Sequence, residues 1–343
     1  MDKKRNYSID IFRYIAALLV IMCHADLLVE ADPNIYQFVA RFMPRISVSF
    51  FFAVSGYYYL KALLKDKADF KKQFMLLLKI YGFWTIIYYG ASFVDNIILG
   101  NRDIKTFLVE RVVFFLTKGS YAHFWYFPAL IYSVVIVTII YKLFGKKGIQ
   151  ILSYCSIVLF VFGNLGSSYY EVGMNIPVVR YMVSGNRTIF EVFRGIFCMG
   201  MPYFLLGYFL NQYEDKIQQV SRKTEFITVV ITGVLYVAEI IIVANILKWN
   251  KYPEVFLMLY PATFIVFSVL LRHPKESWKS KADLARRLSA YLYYVHPLII
   301  LVLGLLSKRI GIIIPSIVTY CIVVGSATLS GWIFIKWKWK WLL

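Results

Sequence analysis

The chain has 343 residues, of which 60% are hydrophobic and 17% charged, and its mean hydropathy is +0.64. Average soluble domains carry about a quarter charged residues and no more than about half apolar ones, so this composition excludes a disordered chain, a coiled coil and an ordinary cytosolic enzyme. The net charge of +19 raises nucleic acid as a partner, but the placement of those charges argues against it.

Apolar runs of about 17–25 residues mark membrane-spanning helices. Ten are expected in chain order, over 8–28, 43–63, 75–95, 124–144, 149–165, 194–211, 225–246, 254–271, 288–306 and 311–335. The stretch 104–117 is apolar but too short to span and carries Glu110 and Arg111, so it reads as an interfacial or re-entrant helix. Aromatics make up 18% of the chain, which suits many membrane–water boundaries. Cys23, Cys155, Cys198 and Cys321 all lie in apolar runs and read neither as a disulfide framework nor as a metal cluster. The expected fold is an all-α polytopic membrane protein, a single domain over 1–343.

Most of the 38 lysines and arginines fall at the N-terminus and in every second connection, among them Lys65, Lys71, Lys72, Lys146, Lys147, Arg286 and Arg287. The positive-inside rule then puts both termini in the cytoplasm, and an even number of helices agrees. The basic excess becomes a topology signal, and nucleic-acid binding a poor reading. Asp10 and Arg13 interrupt the start of the first apolar run and no small-residue cleavage site follows Ala25, so a retained first helix is expected rather than a signal peptide. The tail KWKWKWLL reads as an interfacial anchor.

Ionisable side chains inside a membrane are costly unless they meet a cavity or a partner, so each is a candidate site residue. Arg13 and His24 are eleven positions apart on the first helix. Eleven steps of about 100° fall about 20° from whole turns, which puts both on one face, about 16 Å apart along the axis. Arg13 then lies near the cytoplasmic side and His24 well toward the outer one. Asp10 stands one turn before Arg13 and can pair with it. Each residue also has a plainer reading, Arg13 as a snorkelling anchor and His24 as an interfacial histidine. A neutral imidazole is nevertheless the side chain best suited to general-base work near neutral pH.

Ser55-Gly56 falls mid-span in the second helix, where the glycine suits close helix packing. Lys71, Lys72 and Lys79 form a basic entrance to the third helix, fit for anionic lipid or an anionic cofactor. His123 and Trp125 open the fourth span at the outer boundary, where an aromatic belt is the default reading. Arg194 begins the sixth span, and Glu239 lies deep in the seventh, where a structural pairing is its plainer reading. His296-Pro297 in the ninth should kink the helix and free a carbonyl near position 293.

Four segments in order carry a family resemblance. Ile9-Asp10 followed by Arg13, ten residues and His24 resembles the signature of the membrane acyltransferase-3 family. SFFFAVSGYYY (49–59), HFWYFPAL (123–130) and SAYLYYVHPL (289–298) resemble its later motifs. The match covers nearly the whole chain and includes a ten-helix layout. It implies an integral membrane O-acyltransferase, moving an acyl group, often acetyl, from cytoplasmic acyl-coenzyme A to a hydroxyl of an envelope glycan outside. By the same resemblance His24 is the catalytic base and Arg13 a donor-binding or donor-positioning residue, while Ser55 and His296 sit at motif positions with less settled roles. Some members carry an SGNH hydrolase-like domain after the bundle, and this sequence, ending at Leu343, looks like the stand-alone members without it. It is also similar to the membrane half of the serine racemases linked to glycopeptide resistance, where an amino acid has been read as the cargo. A membrane transporter or flippase for an amino acid or small acyl compound therefore stays open as the alternative.

The residues suit that chemistry. An acyl-coenzyme A donor carries several negative charges that inner-surface lysines such as Lys71, Lys72 and Lys79 can hold. A pantetheine arm of roughly 15–20 Å matches the Arg13–His24 rise. His24 can take the acceptor's proton, and Arg194, Trp125 or a tyrosine can stabilise the oxyanion. The chemistry needs no metal. The expected partners are acyl-coenzyme A, a glycan acceptor and the bilayer of the cell membrane.

Overall fold

The computed structural model describes residues 6–93, 103–245 and 255–337. The first five residues and the tail from 338 onward, which carry part of the expected topology signal, lie outside the described residues. Among the described residues the chain is all-helical, with no strand. Among the described residues eight helices are long and apolar enough to cross a membrane.

The ten expected runs and these eight helices differ at two places. The runs 124–144 and 149–165 lie in one 40-residue helical element, Tyr126–Leu165, whose backbone leaves helical geometry at Gly145 (φ 60°, ψ −152°). That left-handed φ is one a glycine adopts without the clash a Cβ would bring. The run 254–271 appears as the 14-residue helix Leu259–Arg272, about 21 Å long against a hydrocarbon core of about 30 Å. The short helix expected over 104–117 is present as Ile104–Leu116, started by Asp103, whose carboxylate accepts from the Thr106 N–H at 2.8 Å. Its Leu108, Val109, Val112 and Val113 are exposed, an apolar face fit for lipid.

We label the main helices α1 (Tyr7–His24), α2 (Arg45–Leu63), α3 (Phe70–Phe93), α4 (Ile104–Leu116), α5 (Tyr126–Leu165), α6 (Arg187–Gln212), α7 (Arg222–Asn245), α8 (Leu259–Arg272), α9 (Lys279–Ile310) and α10 (Ser316–Lys336). The chain packs as two compact units. One comprises 1–51, 214–231 and 262–343, and the other 52–213 and 232–261.

In the first unit, α1 begins at Asn6, whose side chain accepts from the N–H groups of Ser8 and Ile9 and donates to the Leu270 carbonyl at 2.8 Å. Ser8 donates to the His273 carbonyl at 2.5 Å and accepts from the Lys275 N–H at 3.0 Å. These bonds tie the start of α1 to the segment that leads into α9. Because His24 at the far end of α1 meets His296 of α9, the two helices run parallel. α1 buries Ala16, Ala17, Val20 and Ile21, and α9 buries Leu288, Leu292, Val295 and His296, each at helical spacing. After α1 the chain turns through Asp26 (φ 49°) and Leu28 (φ 65°). Leu28 in the left-handed region costs of the order of 1–2 kcal/mol. The turn is held by Ser316, whose hydroxyl accepts from the Leu28 N–H at 2.9 Å, and by Glu30, which accepts from the Ser316 N–H at 2.8 Å.

In the second unit, α2 and α6 meet backbone to backbone. A Cβ on Gly56 would stand 1.8 Å from the Phe204 carbonyl oxygen, and one on Gly207 would stand 2.2 Å from the Tyr57 nitrogen. Glycine at both places is what lets the helices touch. Asn211 of α6 clasps the contact by donating to the Tyr57 carbonyl at 2.9 Å.

Candidate active site

In the first unit, Arg13 and His24 lie on the unbroken helix α1, so the one-face geometry holds. Asp10 is buried and accepts from Arg13 at 3.3 Å, and the Arg13 side chain is 22% exposed. The base-side histidine has company that its position in the sequence does not reveal. The His24 and His296 rings stand 5.1 Å apart, centre to centre, at 44°. His24 is solvent-accessible, whereas His296 is completely buried. The His296 Nδ1 donates to the Leu292 carbonyl at 2.9 Å, and the Tyr293 carbonyl, which Pro297 deprives of its helical N–H partner, also bonds this ring. α9 runs another fourteen residues past His296, about 21 Å. His24 is thus the last residue of α1, whereas His296 lies in the interior of α9.

A charged cluster follows His24. Asp26 Oδ1 accepts from Arg41 at 2.6 Å and from the Tyr36 hydroxyl at 2.8 Å. Arg41 Nε donates to the Tyr36 oxygen at 2.9 Å, and Arg45 Nε donates to the Arg41 carbonyl at 3.0 Å. Arg45, Arg41 and Asp26 all act electrostatically on the His24 ring. Gln37–Phe42 is a π-helical turn, a geometry frequent at functional sites. Position along the chain alone does not single out Arg41 and Arg45. Their spacing of four at the start of a span, 17 and 21 residues after His24, is the signal that could raise them.

In the second unit, the Ser55 hydroxyl and the Tyr126 hydroxyl are 3.2 Å apart, and Phe52 packs on both Tyr126 and Trp125, at 4.4 and 5.8 Å. The second and third motif segments are therefore neighbours here. His123 is buried among Tyr88, Tyr121 and Phe124, so an interfacial belt does not describe it. Arg194 does not open its span. It is buried seven residues into α6, at the head of a second π-helical turn, Arg194–Gly200. Glu239 accepts from the Tyr169 hydroxyl at 2.5 Å and from the Leu257 and Met258 N–H groups at 2.6 and 2.7 Å. It thereby satisfies free donors at the head of α8. Lys71, Lys72 and Lys79 are all exposed on α3.

The profile of the acyltransferase-3 family, described as an acyltransferase domain, matches residues 6–336. The chain belongs to this family. As an acyltransferase-3 protein with eight helices fit to span a bilayer, it is a multi-pass membrane acyltransferase by kind. It is also similar to an amino-acid racemase of Enterococcus faecalis, 26% identical over 346 residues, covering 98% of this chain and 47% of that protein. A serine/alanine racemase of Enterococcus gallinarum is 26% identical over 345 residues with the same coverage. The chain thus spans about half the length of these curated relatives. No solved structure matches it. Within this acyltransferase-3 protein, Arg13, His24 and His296 converge on one pair of parallel helices, whereas Ser55 groups with Trp125 and Tyr126.

Proposed function

We propose that the protein transfers an acyl group, acetyl in our reading, from cytoplasmic acyl-coenzyme A to a hydroxyl of an extracytoplasmic envelope glycan, acting in the cell membrane. The observation that carries this reading is the accessible His24 imidazole, propped by buried His296, with Arg13 on the same face of α1 about 16 Å away. That separation suits a donor whose anionic part lies at Arg13 and whose thioester reaches His24. His24 accepts the proton of the acceptor hydroxyl as its oxygen attacks the thioester carbonyl. The C–S bond then breaks, the ester forms, and the coenzyme A thiolate leaves with the proton from His24. Lys71, Lys72 and Lys79, exposed at the start of α3, are the residues we assign to early capture of the donor's phosphates.

The test is free-thiol release from acetyl-coenzyme A by the purified protein with an envelope-glycan extract, wild type against His24→Ala. The expected result is release that needs both the extract and His24. Equal release from a folded His24→Ala variant removes the base assignment. The amino-acid racemase names of the relatives favour one second reading, movement of an amino acid or small acyl compound across the membrane. Uptake into sealed vesicles without covalent change, and without thiol release, is the result that selects it.

A further inference from the structure

The charge beside His24 does not balance. From the end of α1 to the first residue of α2 the chain carries three acids, Asp26, Glu30 and Asp32, and two arginines, Arg41 and Arg45. All three acids are engaged. Asp26 accepts from Arg41 and from the Tyr36 hydroxyl, Glu30 from the Ser316 N–H, and Asp32 from the N–H groups of Asn34 and Ile35. Arg41 is thereby matched by Asp26, at 2.6 Å. Arg45 is not matched. Its Nε donates to the Arg41 carbonyl at 3.0 Å, and among the described residues no carboxylate pairs with it. It is half-buried, and a guanidinium partly withdrawn from water without an anion is costly to keep. The Nε bond leaves its two terminal nitrogens as a two-pronged donor, the fork that matches a carboxylate or a phosphate. Arg45 also acts electrostatically on the His24 ring, as Arg41 does, so this unmatched cation is a neighbour of the base.

We propose that Arg45 selects the acceptor: its terminal nitrogens hold a carboxylate or phosphate of the acceptor, so that the hydroxyl presented to His24 belongs to an acidic glycan. The chemistry favours such an acceptor. His24 takes up a proton during transfer with a fixed cation beside it. Like charges repel, and an acceptor that brings its own anion relieves that repulsion, whereas a neutral one does not. The Arg41 carbonyl, carried on the π-helical turn Gln37–Phe42, aims the fork. The site is distinct from Arg13, about 16 Å away along α1, which serves the donor.

The proposal rests on His24 being the base of acyl transfer, so its test has an arm that does not depend on turnover. Two acidic trimers are each paired with an uncharged counterpart, trigalacturonic acid with its methyl ester and a glycerol phosphate trimer with triglycerol. Their binding to the purified protein in phosphatidylcholine nanodiscs is measured by calorimetry. One acidic trimer should bind about 10-fold or more tighter than its counterpart, and Arg45→Gln should abolish that preference. Which trimer is preferred assigns the anion as carboxylate or phosphate. No preference for either acidic trimer at millimolar concentration, or a preference that a folded Arg45→Gln variant keeps, overturns the proposal. Stabilisation of wild type over Arg45→Gln by phosphatidylglycerol, with neither trimer preferred, makes Arg45 a lipid anchor and overturns it too. Should Arg45→Gln fail to fold, the wild-type contrast of acid with counterpart decides alone. The second arm is thiol release from acetyl-coenzyme A. Arg45→Gln should raise the KM for the preferred acidic acceptor about 10–100-fold, leave the KM for acetyl-coenzyme A unchanged and bring the acid-to-neutral ratio of kcat/KM near one. Arg45→Lys, which keeps the charge and loses the fork, should fall between. A raised KM for acetyl-coenzyme A with an unchanged acid-to-neutral ratio places Arg45 with the donor and overturns the assignment. If wild type releases no thiol with any acceptor, the acyl-transfer reading fails, and the binding arm still decides what Arg45 holds.

Discussion

Arg13 and His24 stand on one face of a single unbroken helix, about 16 Å apart, and Arg13 is tied to a buried carboxylate, that of Asp10. The tie complicates any test of Arg13. Removing the guanidinium also takes an ion-pair partner from Asp10, whose side chain is 5% exposed, and weakening the pairing of a buried charge is destabilising. Arg13→Ala is therefore expected to lower the melting temperature and raise the apparent KM for acetyl-coenzyme A by about 10–100-fold, the worth of a charge-assisted hydrogen bond. The double variant Asp10→Asn/Arg13→Ala should recover the melting temperature and leave the KM high. Recovery of both would make Arg13 a structural partner and nothing more.

The α2–α6 contact should fail on a single methyl group. Gly56→Ala puts a Cβ 1.8 Å from the backbone oxygen of Phe204, and backbone cannot swing aside as a side chain can. A loss of about 3 kcal/mol or more is expected, at the upper end of overpacking costs, read as a fall in the melting temperature of the detergent-solubilised protein. Gly82 on α3 has nothing within 4 Å of its added Cβ. Gly82→Ala should be neutral or up to about 1 kcal/mol stabilising. Two alanines with equal effects would show that α2 and α6 do not meet at Gly56.

The turn after His24 should respond to acid through Glu30. Hydrogen bonds from the Ser316 hydroxyl and N–H hold the Glu30 carboxyl below its ordinary pKa. A carboxylate whose pKa is depressed on folding adds stability that is fully present above its unfolded pKa and is lost as pH falls through the folded one. Wild type should therefore melt higher than Glu30→Gln at neutral pH, and the gap should close below about pH 4. A gap that persists at pH 3 would assign the effect to something other than this charge.

Much of the fold was legible because a bilayer imposes a coarse code. Apolar runs of fixed length, basic loops on alternate sides and a Gly56 fit for close packing can all be read residue by residue. The break at Gly145 was legible as well, because Lys142, Lys146 and Lys147 interrupt the apolar pattern between the runs 124–144 and 149–165. Two things were not. The burial of Arg194 and His123 depends on what packs around them, and position along the chain says nothing about that. His24 and His296 are 272 positions apart and share no local pattern. The His-Pro motif announced that His296 mattered, and only packing of α1 on α9 shows against what.

Glu239 offers the sharpest separation of scaffold from site. Its carboxylate accepts from the Tyr169 hydroxyl and from two backbone N–H groups at the head of α8. All three partners donate, so a carboxylate suits them and an amide does not: glutamine would aim its own N–H groups at a donor. Glu239→Ala leaves the two backbone donors without their acceptor, at about 1–3 kcal/mol each. Both variants should lower the melting temperature, and Glu239→Gln should be far from silent. Thiol release per folded molecule, and its KM for acetyl-coenzyme A, should stay within about twofold of wild type, because a scaffold interaction contributes equally to ground and transition states. A variant that melts normally and has lost turnover would place Glu239 in the chemistry and displace the structural reading of this carboxylate.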